Sequence, residues 1–177
     1  MKMMKTGKIV LLGLLCSIML ILGYIESMIV IFPGIPGIKP GFANCALLFA
    51  LSVFKKKDAI LLALLKVGLS ALLFGNAESL VYSASGTLCA MFAMILLNTG
   101  KHFGTAGISV GGAVAHMIGQ LLASIPMLGS VSGFVMAPWL MACALVSGIV
   151  TGVAAGILIR LFKEKIAKQV HLDEYTD

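Results

Sequence analysis

Six long apolar runs, almost free of charge, dominate the sequence: residues 9–31, 42–54, 59–74, 80–97, 105–125 and 135–162. A helix needs about 20 apolar residues to cross a bilayer. In hydrocarbon, every backbone polar group must be satisfied internally, so only helices and closed barrels cross it. Runs of this length without period-two alternation predict helices. The breaks between them are short, four to ten residues, which predicts that consecutive helices are antiparallel neighbours. Composition agrees: 60% of the 177 residues are hydrophobic and 11% charged, against about 45–50% and about 25% in soluble domains. A soluble domain of this size has too little interior for that much apolar surface. A soluble enzyme, a secreted disulfide scaffold and a nucleic-acid-binding module are all excluded.

The formal charge of +6 reads as an orientation signal. Lys2, Lys5, Lys8, Lys55, Lys56, Lys57, Lys101, Arg160, Lys163, Lys165 and Lys168 all fall on one side of a six-crossing topology. The other side has Lys39 alone, and Lys66 lies within a run. Basic residues concentrate on the cytoplasmic side of membrane proteins, so both termini are expected there, with anionic lipid and not nucleic acid as the partner of the positive charge. The opening MKMMKTGK and its apolar run resemble a signal peptide, but no small-x-small site follows, so an uncleaved first helix is expected. The expected organisation is a membrane domain over 1–162 and a short cytoplasmic tail over 163–177.

Cys16, Cys45, Cys89 and Cys143 lie singly in four different runs. With no CxxC and no Cys/His cluster, neither a metal site nor a disulfide framework is expected. No phosphate loop, GxGxxG or HExxH occurs. Asp is limited to Asp58, Asp173 and Asp177, whereas prenyl diphosphate chemistry needs Asp clusters to hold Mg²⁺. No catalytic residue, metal or cofactor is therefore expected in this chain.

Four features bear on function. The second run is 13 residues long and reaches only about 20 Å as a helix. It follows FPGIPGIKPG, which has three prolines and three glycines and cannot form a regular helix. Such backbone is either an ordinary outer connection or a re-entrant loop lining a pocket, with Lys39 and Asn44 facing a ligand. Ionisable residues are scarce in or beside the runs: Glu26, Lys66, Glu78 and His116. Each is costly in lipid and should face the protein interior with a partner. Lys66 paired with Glu26 or Glu78 is the natural expectation, either as a static ion pair or as the wall of a binding site. In the fifth run, His116 and Gln120 stand one turn apart on a face of small residues, Ser109, Gly112, Gly119 and Ala123. In the last run, Ala144, Gly148, Gly152 and Gly156 form a ridge that suits close helix packing, more simply within the bundle than with a partner subunit.

The stretches FPGIPGIKPGFANCALL after Glu26, SASGTLCAMFAM and SVGGAVAHMIGQLL resemble a small bacterial membrane family named heptaprenyl diphosphate synthase component I, also called the Gx transporter family. The resemblance runs from about residue 9 to 160. Met117 stands where relatives commonly carry Asn, and Lys66 where they often carry Arg. One family name implies a non-catalytic partner of a soluble prenyl diphosphate synthase subunit in making the menaquinone side chain. The other implies an all-α fold of six transmembrane helices, similar to the substrate-capture subunits of energy-coupling-factor transporters, with an irregular Pro/Gly-rich outer loop. Such a protein would take a vitamin-, flavin- or quinone-related molecule from the outer side and dock on an energising module. The sequence favours capture, with Glu26, Lys39, Asn44, Lys66, Glu78, His116 and Gln120 as ligand-binding residues. A subunit of a membrane redox complex is the third alternative.

Overall fold

The structure, a computed structural model, describes residues 5–29, 39–74, 77–100, 102–128, 135 and 137–174, with backbone alone at 5, 74, 77–79, 127–128 and 166–174. Six helices and no strand occur among the described residues: α1 Lys5–Met28, α2 Asn44–Val53, α3 Lys56–Phe74, α4 Ala77–Gly100, α5 Thr105–Leu128 and α6 Ala137–Glu174. Each apolar run became a helix. Four stretches are long and apolar enough to cross a membrane: Thr6–Met28, Leu80–Gly100, Thr105–Pro126 and Ala137–Lys165. The other two helices fall short for different reasons. α2 has only 10 residues, and α3 carries Lys56, Lys57, Asp58 and Lys66 within 19. Residues 30–38, most of the Pro/Gly stretch, lie outside the described residues. α6 runs on beyond Phe162 to Glu174.

The burial pattern is that of a protein solvated by lipid. Ile9, Val10, Leu14, Leu72, Phe92, Val146 and Ile157 are exposed, while Glu26, Asn44, Lys66, His116 and Gln120 are buried. Water would favour the reverse, and an apolar exterior this extensive marks a membrane surface.

α2 organises the bundle. It contacts each of the other five helices, and Asn44 and Ala46–Leu51 are buried on all its sides. A helix apolar all round belongs in a core, and NCALLFALSV has no polar face to turn outward. Around it, α4, α5 and α6 pack through glycines. A methyl group on Gly119 would meet the Ser85 carbonyl oxygen at 2.6 Å; on Gly148 it would meet Val110 Cα at 2.8 Å, and on Gly152 Ala106 Cα at 2.9 Å. The α6 ridge thus serves packing against α5, and only Gly156 faces open space. Ser109 and Thr151 are hydrogen-bonded across the same interface at 3.0 Å.

One end of the bundle is tied by polar contacts between distant segments. Lys8 of α1 pairs with Asp58 of α3 at 2.7 Å, and Lys56 donates to Thr99 of α4 at 2.9 Å. Phe49 and Phe162 meet edge to face there, centroids 5.3 Å apart. These contacts gather Lys8, Lys55, Lys56, Lys57, Lys163 and Lys165 at one end, as the antiparallel arrangement requires.

Candidate functional site

Residues 39–43 enter the bundle as irregular backbone, and three helices hold them. Gln120 of α5 clamps Lys39: its Oε1 accepts from the Lys39 N–H at 2.8 Å and its Nε2 donates to the Lys39 carbonyl at 3.0 Å. Ser147 of α6 donates to the Pro40 carbonyl at 2.8 Å. Glu26 of α1, 1% exposed, accepts from the Ala43 N–H at 2.8 Å. Ala43 is the N-cap of α2 and has no cap of its own, so a carboxylate from another helix sits on the positive end of α2. Buried backbone amides need partners, and here side chains supply them.

Gly41 makes the turn into α2. Its φ is +87°, a conformation L side chains rarely adopt. A Cβ there would also sit 2.9 Å from Asn44 Nδ2 and 3.2 Å from His116 Cδ2. The imidazole of His116 fills the space between this turn and Gly86 of α4, where a Cβ would be 2.7 Å from Cε1. Small residues at 41 and 86 are what admit the ring. Asn44 Nδ2 and His116 Nδ1 are buried with no hydrogen-bond partner among the described residues.

Lys66, 4% exposed, points toward α4, where Nζ lies 3.3 Å from Ser83 Oγ and 3.4 Å from Thr87 Oγ1. The expected ion pair with Glu26 is not formed: among the described residues no carboxylate lies within 4.0 Å of Lys66. Glu26 is committed to the loop instead, although the two charges remain within electrostatic reach. The backbone of Glu78 belongs to α4, but its side chain lies outside the described residues.

Six of the seven residues singled out from sequence are therefore described, and they occupy one polar interior. They play different parts there: Glu26 and Gln120 bind the loop, His116 and Asn44 line its turn, and Lys39 contributes chiefly its backbone. Ser70, Ser83, Thr87 and Ser147 were missed. The one sequence signal for them was the four-residue spacing of Ser83 and Thr87, which puts both hydroxyls on one face of α4. Among the described residues no group of three or more His, Cys, Asp or Glu is placed to hold a metal ion.

An all-helical bundle with an apolar exterior, a buried ammonium and a loop tied into its interior defines an integral membrane protein with a polar core. The chain belongs to the family described as heptaprenyl diphosphate synthase component I, which matches residues 15–158. No curated protein and no solved structure matched it.

Proposed function

We propose that this protein is a membrane-embedded, non-catalytic component of heptaprenyl diphosphate synthesis, holding a soluble synthase subunit at the cytoplasmic face. In this reading the bundle crosses the bilayer six times, α2 doing so together with residues 39–43, and both termini are cytoplasmic. The observation that carries it, besides the family, is the basic end where Lys8, Lys55, Lys56 and Lys57 are drawn together by the Lys8–Asp58 and Lys56–Thr99 contacts. Such a surface suits an acidic protein partner. The test is co-sedimentation of the catalytic synthase subunit with vesicles containing this protein. Lys55→Gln, Lys56→Gln and Lys57→Gln together should release it, and unchanged sedimentation overturns the docking face.

A second reading, capture of a small organic molecule within the bundle, is favoured by one observation. Among the described residues the buried Asn44 Nδ2 has no hydrogen-bond partner, and the buried His116 ring meets only the Gly86 backbone, both beside the tied loop. Unsatisfied buried groups are costly, and a ligand oxygen would satisfy them. Purification in mild detergent followed by mass spectrometry of extracted small molecules tests it. A preparation free of any stoichiometric molecule counts against capture.

A further inference from the structure

We infer that the groove between α1 and α3 is a binding site for an anionic phospholipid, one acyl chain lying in the groove and the phosphate at its mouth beside Lys8 and Lys55. Such a lipid is part of the bilayer and not a captured solute. The site requires neither reading above and shares with the first only a basic end at the membrane surface.

The groove has the dimensions of one chain in one leaflet. It is open and holds about 490 Å³. Ile9, Gly13 and Leu20 of α1 line one wall and Leu61, Leu65 and Leu69 of α3 the other, with Asp58 at the mouth. Ile9 to Leu20 and Asp58 to Leu69 are eleven residues apart, so both walls are about 16 Å long. Half of a hydrocarbon core of about 30 Å is about 15 Å, so a groove starting at the basic end stops near mid-membrane. Spread over that length, the volume gives a cross-section of about 30 Å². A helix is about 10 Å across with its side chains and cannot enter such a slot; an extended hydrocarbon chain can. The lining is apolar, since the hydroxyl of Ser17 is turned back onto the Gly13 carbonyl at 3.0 Å.

The mouth carries an excess of positive charge. Lys8 Nζ gives one hydrogen bond to Asp58 Oδ1 at 2.7 Å, and an ammonium has two more to give. The Lys8 side chain is 36% exposed, which leaves those donors within reach of a headgroup. Lys55 is exposed, its carbonyl accepts from the Asp58 N–H at 2.9 Å, and its charge also acts on the Asp58 carboxylate. Two ammonium groups therefore face one carboxylate. Asp58 alone would repel a phosphate; with both lysines the mouth keeps one net positive charge and suits a single phosphodiester. A zwitterionic headgroup brings no net charge to balance it.

The test is native mass spectrometry of the full chain in detergent micelles with dipalmitoylphosphatidylglycerol or dipalmitoylphosphatidylcholine added, lipids with the same chains and different head charge. Wild type should retain one phosphatidylglycerol about five-fold more tightly than phosphatidylcholine, the worth of one uncompensated lysine at a membrane surface. Lys8→Gln with Lys55→Gln should abolish this preference. Lys163→Gln with Lys165→Gln removes the same charge from α6, which packs on α2 and α5, and should leave the preference intact. Gly13→Phe, at a site where a Cβ meets nothing within 4 Å, fills the groove and should lose the retained lipid of either kind. If it does not fold, Ser17→Phe, one turn further along the same wall, takes its place. Equal retention of the two lipids by wild type overturns the site, as does unchanged retention in the groove variant or an equal fall in both lysine pairs. A wild-type dimer that Gly13→Phe dissociates would give the groove to a second copy and overturn it too. Gly13→Phe leaves every lysine of the basic end in place, so failure of this site and failure of synthase docking are read separately.

Discussion

The side-chain amide of Gln120 and the backbone of Lys39, 81 residues apart in sequence, are joined by two hydrogen bonds that satisfy both the N–H and the carbonyl of Lys39. The amide acts as a short stretch of neighbouring strand would, and this lets irregular backbone sit among the helices. Gln120→Leu removes both partners and leaves two part-buried peptide groups unpaired, at up to about 1–3 kcal/mol for each. Gln120→Glu keeps an acceptor for the N–H but sets an oxygen against the Lys39 carbonyl, so it should not rescue. Thermal unfolding in detergent should rank wild type above both variants, with earlier proteolysis near residue 39. Equal melting of Gln120→Leu and wild type would show that the clamp carries no stability.

Glu26 has two tasks, accepting from the Ala43 N–H and balancing Lys66 electrostatically. Glu26→Gln preserves the first and abolishes the second; Glu26→Ala abolishes both. Glu26→Ala should therefore destabilise by about 1–3 kcal/mol more than Glu26→Gln. Combining Glu26→Gln with Lys66→Met should cost less than the sum of the single changes, because the second change removes the charge the first left unbalanced. Strict additivity in the thermal melts would mean the two residues do not interact.

Much of the fold was legible because the membrane imposes one period and one length on every element. The six runs map onto the six helices, and the 13-residue run foretold that α2 would be short. Its central place was not legible, since ALLFAL gives no direction to its burial. The site was legible as a set of residues but not as a set of roles. Glu26 and Gln120 stood out as ligand contacts because polar groups in lipid are costly, and that cost is equally met by the loop backbone they bind. Sequence could not reveal that the bare amides of residues 39–43 would approach from a distant segment. Ser70 and Thr87 stayed hidden because small hydroxyl residues in membrane helices usually bond to their own helix, as Ser52 does to the Leu48 carbonyl.

Gly152 and Gly156 belong to one sequence ridge but to two environments. A Cβ on Gly152 would lie 2.8 Å from Ser109 Cβ and 2.9 Å from Ala106 Cα, whereas one on Gly156 meets nothing within 4 Å. Backbone cannot yield as a flexible side chain can, so Gly152→Ala should destabilise by about 1–3 kcal/mol through overpacking. Gly156→Ala should be neutral or stabilising by up to about 1 kcal/mol, as alanine is the better helix former. Thermal melts of the two variants in detergent decide this. A Gly156→Ala variant that melts normally but loses a co-purifying membrane subunit would instead mark that position as a docking point.

The Lys8–Asp58 pair closes the basic end, and its contribution should depend on pH in one direction only. The hydrogen bond from Lys8 holds the Asp58 carboxyl below the usual carboxylate range, with burial opposing it. A carboxyl whose pKa is lower in the folded state favours folding when ionised. Its stabilisation is therefore complete above the unfolded value of about 3.9 and is lost as pH falls through the lower folded value. The pair is partly exposed, with side-chain exposures of 36% and 18%, so its worth is at most about 1 kcal/mol and should shrink in molar salt. Comparing thermal melts of wild type and Asp58→Asn, the gap should be constant from neutral pH to about pH 5 and close as the solution is made more acidic. A gap that widens on acidification would contradict the assigned ion pair.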